Sequence, residues 1–300
     1  MKQKIFHLSL VVSVVLLMLA GCNKGMTPQR YVHKAVAIMD KSALFAEGPL
    51  WEEARSLALS STPGTMDEAY EIVRKALKTA GGKHSFLMES SVVQRNDTAQ
   101  WKMPAIEITE DSILVITVPD FSGNDTQAKQ YAQTLLDGIS PDATRVILDL
   151  RGNTGGNMYP MIAGVNALLP DDYILKFRQR NRKGSNLTAE YIANVQGVER
   201  KTPISPQIAI LTDDHTASSG EALLICFRGM NNVRTFGSQT AGYASANRTF
   251  DMGDGSRLVI TSSCDVARTG EVFCDDPIAP DCLSDTPMDA ALEWLRISSL

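Results

Sequence analysis

The stretch Arg145-Val146-Ile147-Leu148-Asp149-Leu150-Arg151-Gly152-Asn153-Thr154-Gly155-Gly156 decides how the rest of the chain is read. Its first half is short, β-branched and apolar without alternation, the pattern of a strand covered on both faces. Its second half breaks into a glycine-rich turn, after which Met158 to Leu169 reads as a helix. A buried strand passing through a turn into a helix is the unit of a parallel α/β layer. Consecutive glycines there let backbone N–H groups approach a bound group closely, as an oxyanion hole or a phosphate cradle requires. The turn matches neither Gly-x-Gly-x-x-Gly nor the Walker pattern, which argues against a nucleotide site. In isolation such a motif is more often just a tight turn.

Outward from this stretch the same unit recurs. Ile113 to Val118, Ile208 to Leu211 and Val233 to Phe236 read as strands; Thr126 to Leu136 and Ser219 to Arg228 read as helices between them. The expected class is therefore α/β with a mainly parallel core. Residues 171–205 interrupt the alternation with a polar, Arg-rich stretch, expected to be a cap or flap inserted into the core. Beyond Tyr243, alternation on both sides of Asp254-Gly255 predicts a β-hairpin. Upstream, Val32, Ala35, Val36 and Met39, then Ala69, Ile72, Val73, Ala76 and Leu77, recur at helical spacing. The last of these helices stops at Gly81-Gly82. The expected organisation is a tether and helical region over 22–80 and a core over 81–300.

The N-terminus reads as a secretory signal over residues 1–21, with Lys2 and Lys4 before an apolar run from Ile5 to Leu19. The run is too short to span a membrane in the usual way. Cys22 after Leu19-Ala20-Gly21 is similar to the bacterial lipoprotein processing site, which implies a diacylated cysteine and an extracytoplasmic protein held on a membrane surface. Asn23 follows it, so the aspartate that usually retains lipoproteins at the inner membrane of double-membrane bacteria is missing. Without Lys2 and Lys4 the formal charge goes from -5 to -7, and no basic patch offers itself to nucleic acid. Export favours disulfides over thiolate metal sites. Cys264 and Cys274 flank a turn and could close across it, with Cys282 as the competing partner; Cys226, in an apolar run, is expected to be a buried free thiol. No cysteine–histidine cluster has metal-site spacing, and no cofactor is expected.

Chemistry concentrates in Thr216-Ala217-Ser218-Ser219-Gly220-Glu221, between a buried strand and an apolar helix. A serine at the first turn of a helix lies beside free N–H groups and the positive end of the dipole, where negative charge is favoured. Ser218-x-x-Glu221 is equally a capping box, and on these residues alone the cap is the commoner outcome. A nucleophile needs a base. His33 falls in the helical segment, and His215 lies only three residues before Ser218. His84, after the Gly81-Gly82 break, can be presented to a cleft. No lysine follows Lys201, so none follows Ser218.

Taken in order, Gly82-Lys83-His84-Ser85-Phe86, the block from Asp149 to Gly156, Thr216 to Glu221, and Gly237-x-x-Thr240-Ala241-Gly242 resemble the successive blocks of the carboxyl-terminal processing, or tail-specific, serine peptidases. The resemblance covers about residues 80–285. Tyr243 stands where many members carry a lysine base, and no room exists for their inserted PDZ domain. The chain is therefore most similar to the Ser/His branch of that family. This implies a Clp protease/crotonase-type core and a peptide or unfolded protein C-terminus as substrate. It also implies Ser218 as nucleophile, His84 as general base, and N–H groups of Ser219 and of Gly155 or Gly156 as the oxyanion hole. Glu221 either orients the site or caps the helix. The residue that orients His84 is not assignable from sequence; Asp275 and Asp276 are candidates. A peptide-binding lipoprotein without activity is the rival reading, and substrate identity is not readable.

Overall fold

The computed structural model describes residues 25–96, 101–180, 184 and 186–297. The signal segment and Cys22 lie outside the described residues. Three helices come first: α1 (Pro28–Ser42), α2 (Gly48–Ser60) and α3 (Met66–Gly81). Thr27 and Thr65 cap α1 and α3 through their side chains, and Gly82, at φ 67°, ends α3 where the sequence signals a stop. There follow β1 (Phe86–Met88), α4 (Ser90–Asn96), β2 (Ala105–Ile108), β3 (Leu114–Thr117), α5 (Asp125–Gly138), β4 (Arg145–Asp149) and α6 (Met158–Gly164). The second half runs β5 (Tyr173–Gln179), β6 (Asn186–Thr188), α7 (Ala189–Gln196), β7 (Gln207–Thr212), α8 (Ser219–Cys226) and β8 (Val233–Gly237), then β9 (Ser245–Asp251), β10 (Arg257–Ala267), β11 (Val272–Phe273), β12 (Cys282–Leu283) and α9 (Pro287–Ile297). Among the described residues, no helix is long and apolar enough to cross a membrane.

The strands make two sheets. One has the order β12-β8-β7-β4-β3-β2, parallel throughout except for β2 at its edge. Its apolar runs are explained by what covers it. Val146, Leu148, Ile208 and Ile210 join the core under α5, α6 and α8, whereas Ile147, Ala209 and Leu211 join Ala291 and Leu295 of α9 on the opposite face. Strands buried on both faces lose the two-residue alternation, which is why these read as continuous apolar segments.

The second sheet is antiparallel and built on β10, which pairs with β1 and β5 along one edge and with β9 and β11 along the other. The expected hairpin is β9–β10, in register from Arg257↔Asp251 to Thr261↔Asn247, where a bulge intervenes. Of the N-terminal helices, α1 and α3 pack on this sheet through Leu87, Met252, Leu258 and Ile260, and α2 packs on α1 and α3. Tyr31 and Tyr70 fasten them by hydroxyl bonds to Ser256 and Asp254, each at 2.7 Å. Residues 171–205, expected as an inserted flap, supply β5, β6 and α7. Leu187, Ile192 and Ala193 from this segment enter the main core, and β5 lines the space between the two sheets. Cys264 and Cys274 are bonded to each other, and Cys226 is a buried free thiol.

Candidate active site

Two loops at the carboxyl ends of adjacent parallel strands meet here. The loop after β4 turns on Asn153, which is wholly buried. Its side-chain amide donates to the Val118 carbonyl at 2.8 Å, and its Oδ1 accepts from Gly155 N–H at 2.9 Å. The loop after β7 is wound around Asp213, whose Oδ1 accepts the N–H groups of His215 and Thr216. The loops are cross-braced: Gly152 N–H donates to Asp213, Thr216 Oγ1 donates to the Leu150 carbonyl, and Ala217 N–H donates to the Asn153 carbonyl. Gly155, at φ 105°, lies flat against the product of this bracing. A Cβ there would stand 2.8 Å from Ser218 Cβ and 3.0 Å from Ser219 N.

Ser218 sits at the start of α8 with φ 52° and ψ -113°. An ordinary N-cap residue has extended backbone, so the capping role does not account for this conformation. A non-glycine residue held at positive φ on a strand-to-helix turn is the geometry of a nucleophile elbow. The cap interaction is nevertheless present, since Ser218 N–H donates to Glu221 Oε2 at 2.8 Å. Glu221 also accepts from Thr240 Oγ1, from Gly242 N–H at 2.9 Å and from Tyr243 N–H at 2.7 Å. Burial raises its carboxyl pKa, and the four donors pull against that rise. Both oxygens are thus occupied in tying the 240–243 turn to the elbow, and none reaches His84.

His84 enters from the opposite sheet, on the turn between α3 and β1, 8% exposed and lining the same cleft as Ser218. Its carbonyl accepts from Asn247 Nδ2 at 3.0 Å, and Tyr243 packs edge-on at 5.2 Å between ring centres. Nδ1 lies 2.8 Å from Ser245 Oγ, which in turn donates to Asp275 Oδ1 at 2.5 Å. Ser245 has one proton, and it points to the carboxylate. It can therefore only accept from His84, which fixes the proton on Nδ1 and leaves Nε2 with its lone pair. Asp275 itself is 3.7 Å from Nδ1. Burial lowers the His84 pKa, against the opposing pull of Asp275 and with help from Lys83, so the neutral ring is favoured.

Of the two acids left open by sequence, Asp275 is in place, whereas Asp276 is exposed. Asp275 is held at φ 66° directly after the Cys264–Cys274 bridge. Ser245 is the member that sequence reading does not single out; it lies three residues after the Thr240-Ala241-Gly242 block. His33 and His215 are both exposed and away from the cleft lining. Gly155 N–H is committed to Asn153, whereas Gly156, Ser219 and Ser218 line the cleft together. The cleft encloses about 820 Å³. No direct hydrogen bond joins His84 to Ser218 among the described residues; such bonds are often long before a substrate closes the site. The assembly of a strained serine, a neutral imidazole backed by an acid, and glycine-lined amides suits acyl transfer.

Comparison with known proteins identifies the family. The model of Peptidase family S41 matches residues 112–284. The nisin-resistance protein of Lactococcus lactis subsp. lactis is 35% identical over 280 residues, 90% of this chain and 87% of that protein. A solved lipoprotein from Streptococcus agalactiae is 30% identical, with a TM-score of 0.83 over 91% of this chain and 97% of that one. The photosystem II D1 C-terminal processing protease shares the fold alone, at 14% identity and a TM-score of 0.59 over 87% of this chain and 94% of that one. The core is α/β of the Clp protease/crotonase-like type behind an N-terminal helical region. By family match and by identity across most of its length, the chain belongs to peptidase family S41.

Proposed function

We propose that this protein is an extracytoplasmic serine peptidase that cleaves peptides or protein tails near their carboxyl end. In this reading His84 Nε2 takes the Ser218 hydroxyl proton as Oγ attacks the scissile carbonyl. Ser245 and Asp275 stabilise the imidazolium that forms. The N–H groups of Ser219 and Gly156 hold the oxyanion at the positive end of α8; Gly155 N–H is spent on Asn153 and serves the turn instead. The imidazolium then protonates the leaving amine, and water admitted to the same base hydrolyses the acyl-Ser218 ester. Glu221 positions the elbow. The observation that carries the proposal is the chain His84–Ser245–Asp275, whose hydrogen-bond polarity frees Nε2 in the cleft that Ser218 lines.

Similarity to a nisin-resistance protein supports lantibiotic-type peptides as one substrate class. The lipoprotein likeness supports a diacyl anchor at Cys22 that holds the cleft outside the membrane without a spanning helix. The test is to incubate the domain beginning after Cys22, and its Ser218→Ala variant, with a peptide set including lantibiotics. Serine-dependent cleavage close to the carboxyl end is expected, read by mass spectrometry. Peptides that bind but stay intact would replace the peptidase with a binding lipoprotein.

A further inference from the structure

One acidic side chain in the cleft is used neither by the proposed chemistry nor by the packing. Asp265 lies on β10 in register with Phe177 of β5 and Phe273 of β11. It is 1% exposed, yet it lines the cleft beside Ala222 and Phe177. Its Oδ1 is buried with no hydrogen-bond partner. The titratable groups that face it are carboxyls, Glu221 of α8 and Asp275, together with the Cys226 thiol of α8. Burial first, then Glu221 and Asp275, push its pKa up to about 8. Arg248 also lines the cleft, but it is exposed and its guanidinium lies 5.1 Å from the Phe250 ring. Buried carboxyl oxygens are ordinarily paired, so the unpartnered Oδ1 at the cleft wall has room for a donor from a bound group.

The position says what that partner is. Ala222 stands one helical turn beyond Ser218 on α8. With Phe177 it gives the approach to Asp265 an apolar side that ends in a carboxyl. A long side chain with an aliphatic stem and a positive head matches that profile. A neutral donor would satisfy Oδ1, but only a cation relieves the mutual repulsion of three carboxyls and lets Asp265 ionise in place. We propose that Asp265 is a specificity residue, taking the ammonium or guanidinium head of a lysine or arginine side chain next to the scissile bond of the substrate. The proposal rests on the peptidase reading of Ser218 and His84.

The test uses a short synthetic peptide library with free carboxyl termini, one position fixed in turn as lysine, arginine or norleucine. Binding to the Ser218→Ala variant is measured by calorimetry, and turnover by the unsubstituted protein is measured by mass spectrometry. At one position flanking the cut, the basic peptides should bind and turn over at least about tenfold better than norleucine. In Asp265→Asn that preference should fall to near unity. Equal handling of lysine and norleucine at every position, or a preference that survives Asp265→Asn, overturns the assignment. The lysine–norleucine comparison in the unsubstituted protein stands whether or not the variant folds. Cleavage without basic preference sinks the Asp265 subsite and leaves the peptidase reading; basic preference in binding without any cleavage does the reverse.

Discussion

Replacing Ser245 by alanine separates the relay from every other part of the site. The hydroxyl makes two bonds, one to His84 Nδ1 at 2.8 Å and one to Asp275 Oδ1 at 2.5 Å. Without it Nδ1–H loses its acceptor, since Asp275 stands 3.7 Å away. The His84 carbonyl keeps its bond from Asn247, and Tyr243 keeps its ring contact, so the ring stays in the cleft but its tautomer is no longer fixed. A hydrogen bond that becomes charge-assisted when the imidazolium forms contributes about 1.5–3 kcal/mol. Its loss in the transition state corresponds to a fall in kcat of roughly 10- to 150-fold. KM should change little, because the neutral ring in the resting site needs the relay far less. The pH profile adds a second readout. Burial lowers the His84 pKa and Asp275 raises it. Removing the carboxylate in Asp275→Asn therefore lowers it further, and the acid limb of kcat/KM moves to lower pH while the plateau drops. Ser245→Thr keeps a hydroxyl and should recover part of the rate. The assay is steady-state cleavage of a peptide identified by the mass-spectrometric screen. A Ser245→Ala enzyme within about threefold of the parent kcat, or an Asp275→Asn enzyme with an unmoved acid limb, would refute the relay.

Three further outcomes follow from the same geometry. Gly155→Ala places a Cβ 2.8 Å from Ser218 Cβ at φ 105°; thermal unfolding should show a loss of about 1–3 kcal/mol, and labelling of Ser218 should fall with it. Opening the Cys264–Cys274 bridge, by reductant or by Cys274→Ser, frees the segment that carries Asp275; stability should drop by roughly 2–4 kcal/mol and kcat with it, while Cys226 stays unreactive because it is buried. Asp265 binds its proton more tightly folded, near pH 8, than an ordinary unfolded carboxyl. The folded state thus loses stability as pH rises from the unfolded carboxyl range through about 8. Asp265→Asn should flatten that decline and melt higher than the parent at alkaline pH, measured by calorimetric scans.

What the sequence makes legible follows the range over which each signal acts. Val146 to Leu148 and Ile208 to Leu211 announce a doubly covered parallel sheet because burial on both faces acts residue by residue. The helical region is legible for a similar reason, since the stripes in α1 and α3 have a single buried face. Ser218 is legible as a helix start, but Ser218-x-x-Glu221 reads the same for a cap and for an elbow, and only the backbone angle separates them. The relay is not legible in any window. Its three members are 161 and 30 residues apart and meet because β1 and β9 flank β10, while the disulfide ties the residue before Asp275 to that same strand. The stretch at 171–205 reads as a flap because its charged residues mask β5. In Tyr173–Gln179, Leu175 is buried while Lys176 and Arg178 are accessible, an edge-of-core pattern that a count of polar residues hides. Asp265 is concealed for the opposite reason, as a polar residue in a strand whose side chains from Leu258 to Ala267 are all buried.

The central claim is that Ser218 is a nucleophile activated by His84. It is tested most directly by exposing the soluble domain to a fluorophosphonate and mapping the adduct by mass spectrometry. The account predicts a single phosphonylated residue, Ser218, with labelling slowed by at least about 10³-fold in His84→Ala although the fold is retained. An unlabelled Ser218 in folded protein, or labelling that proceeds equally well without His84, would contradict it.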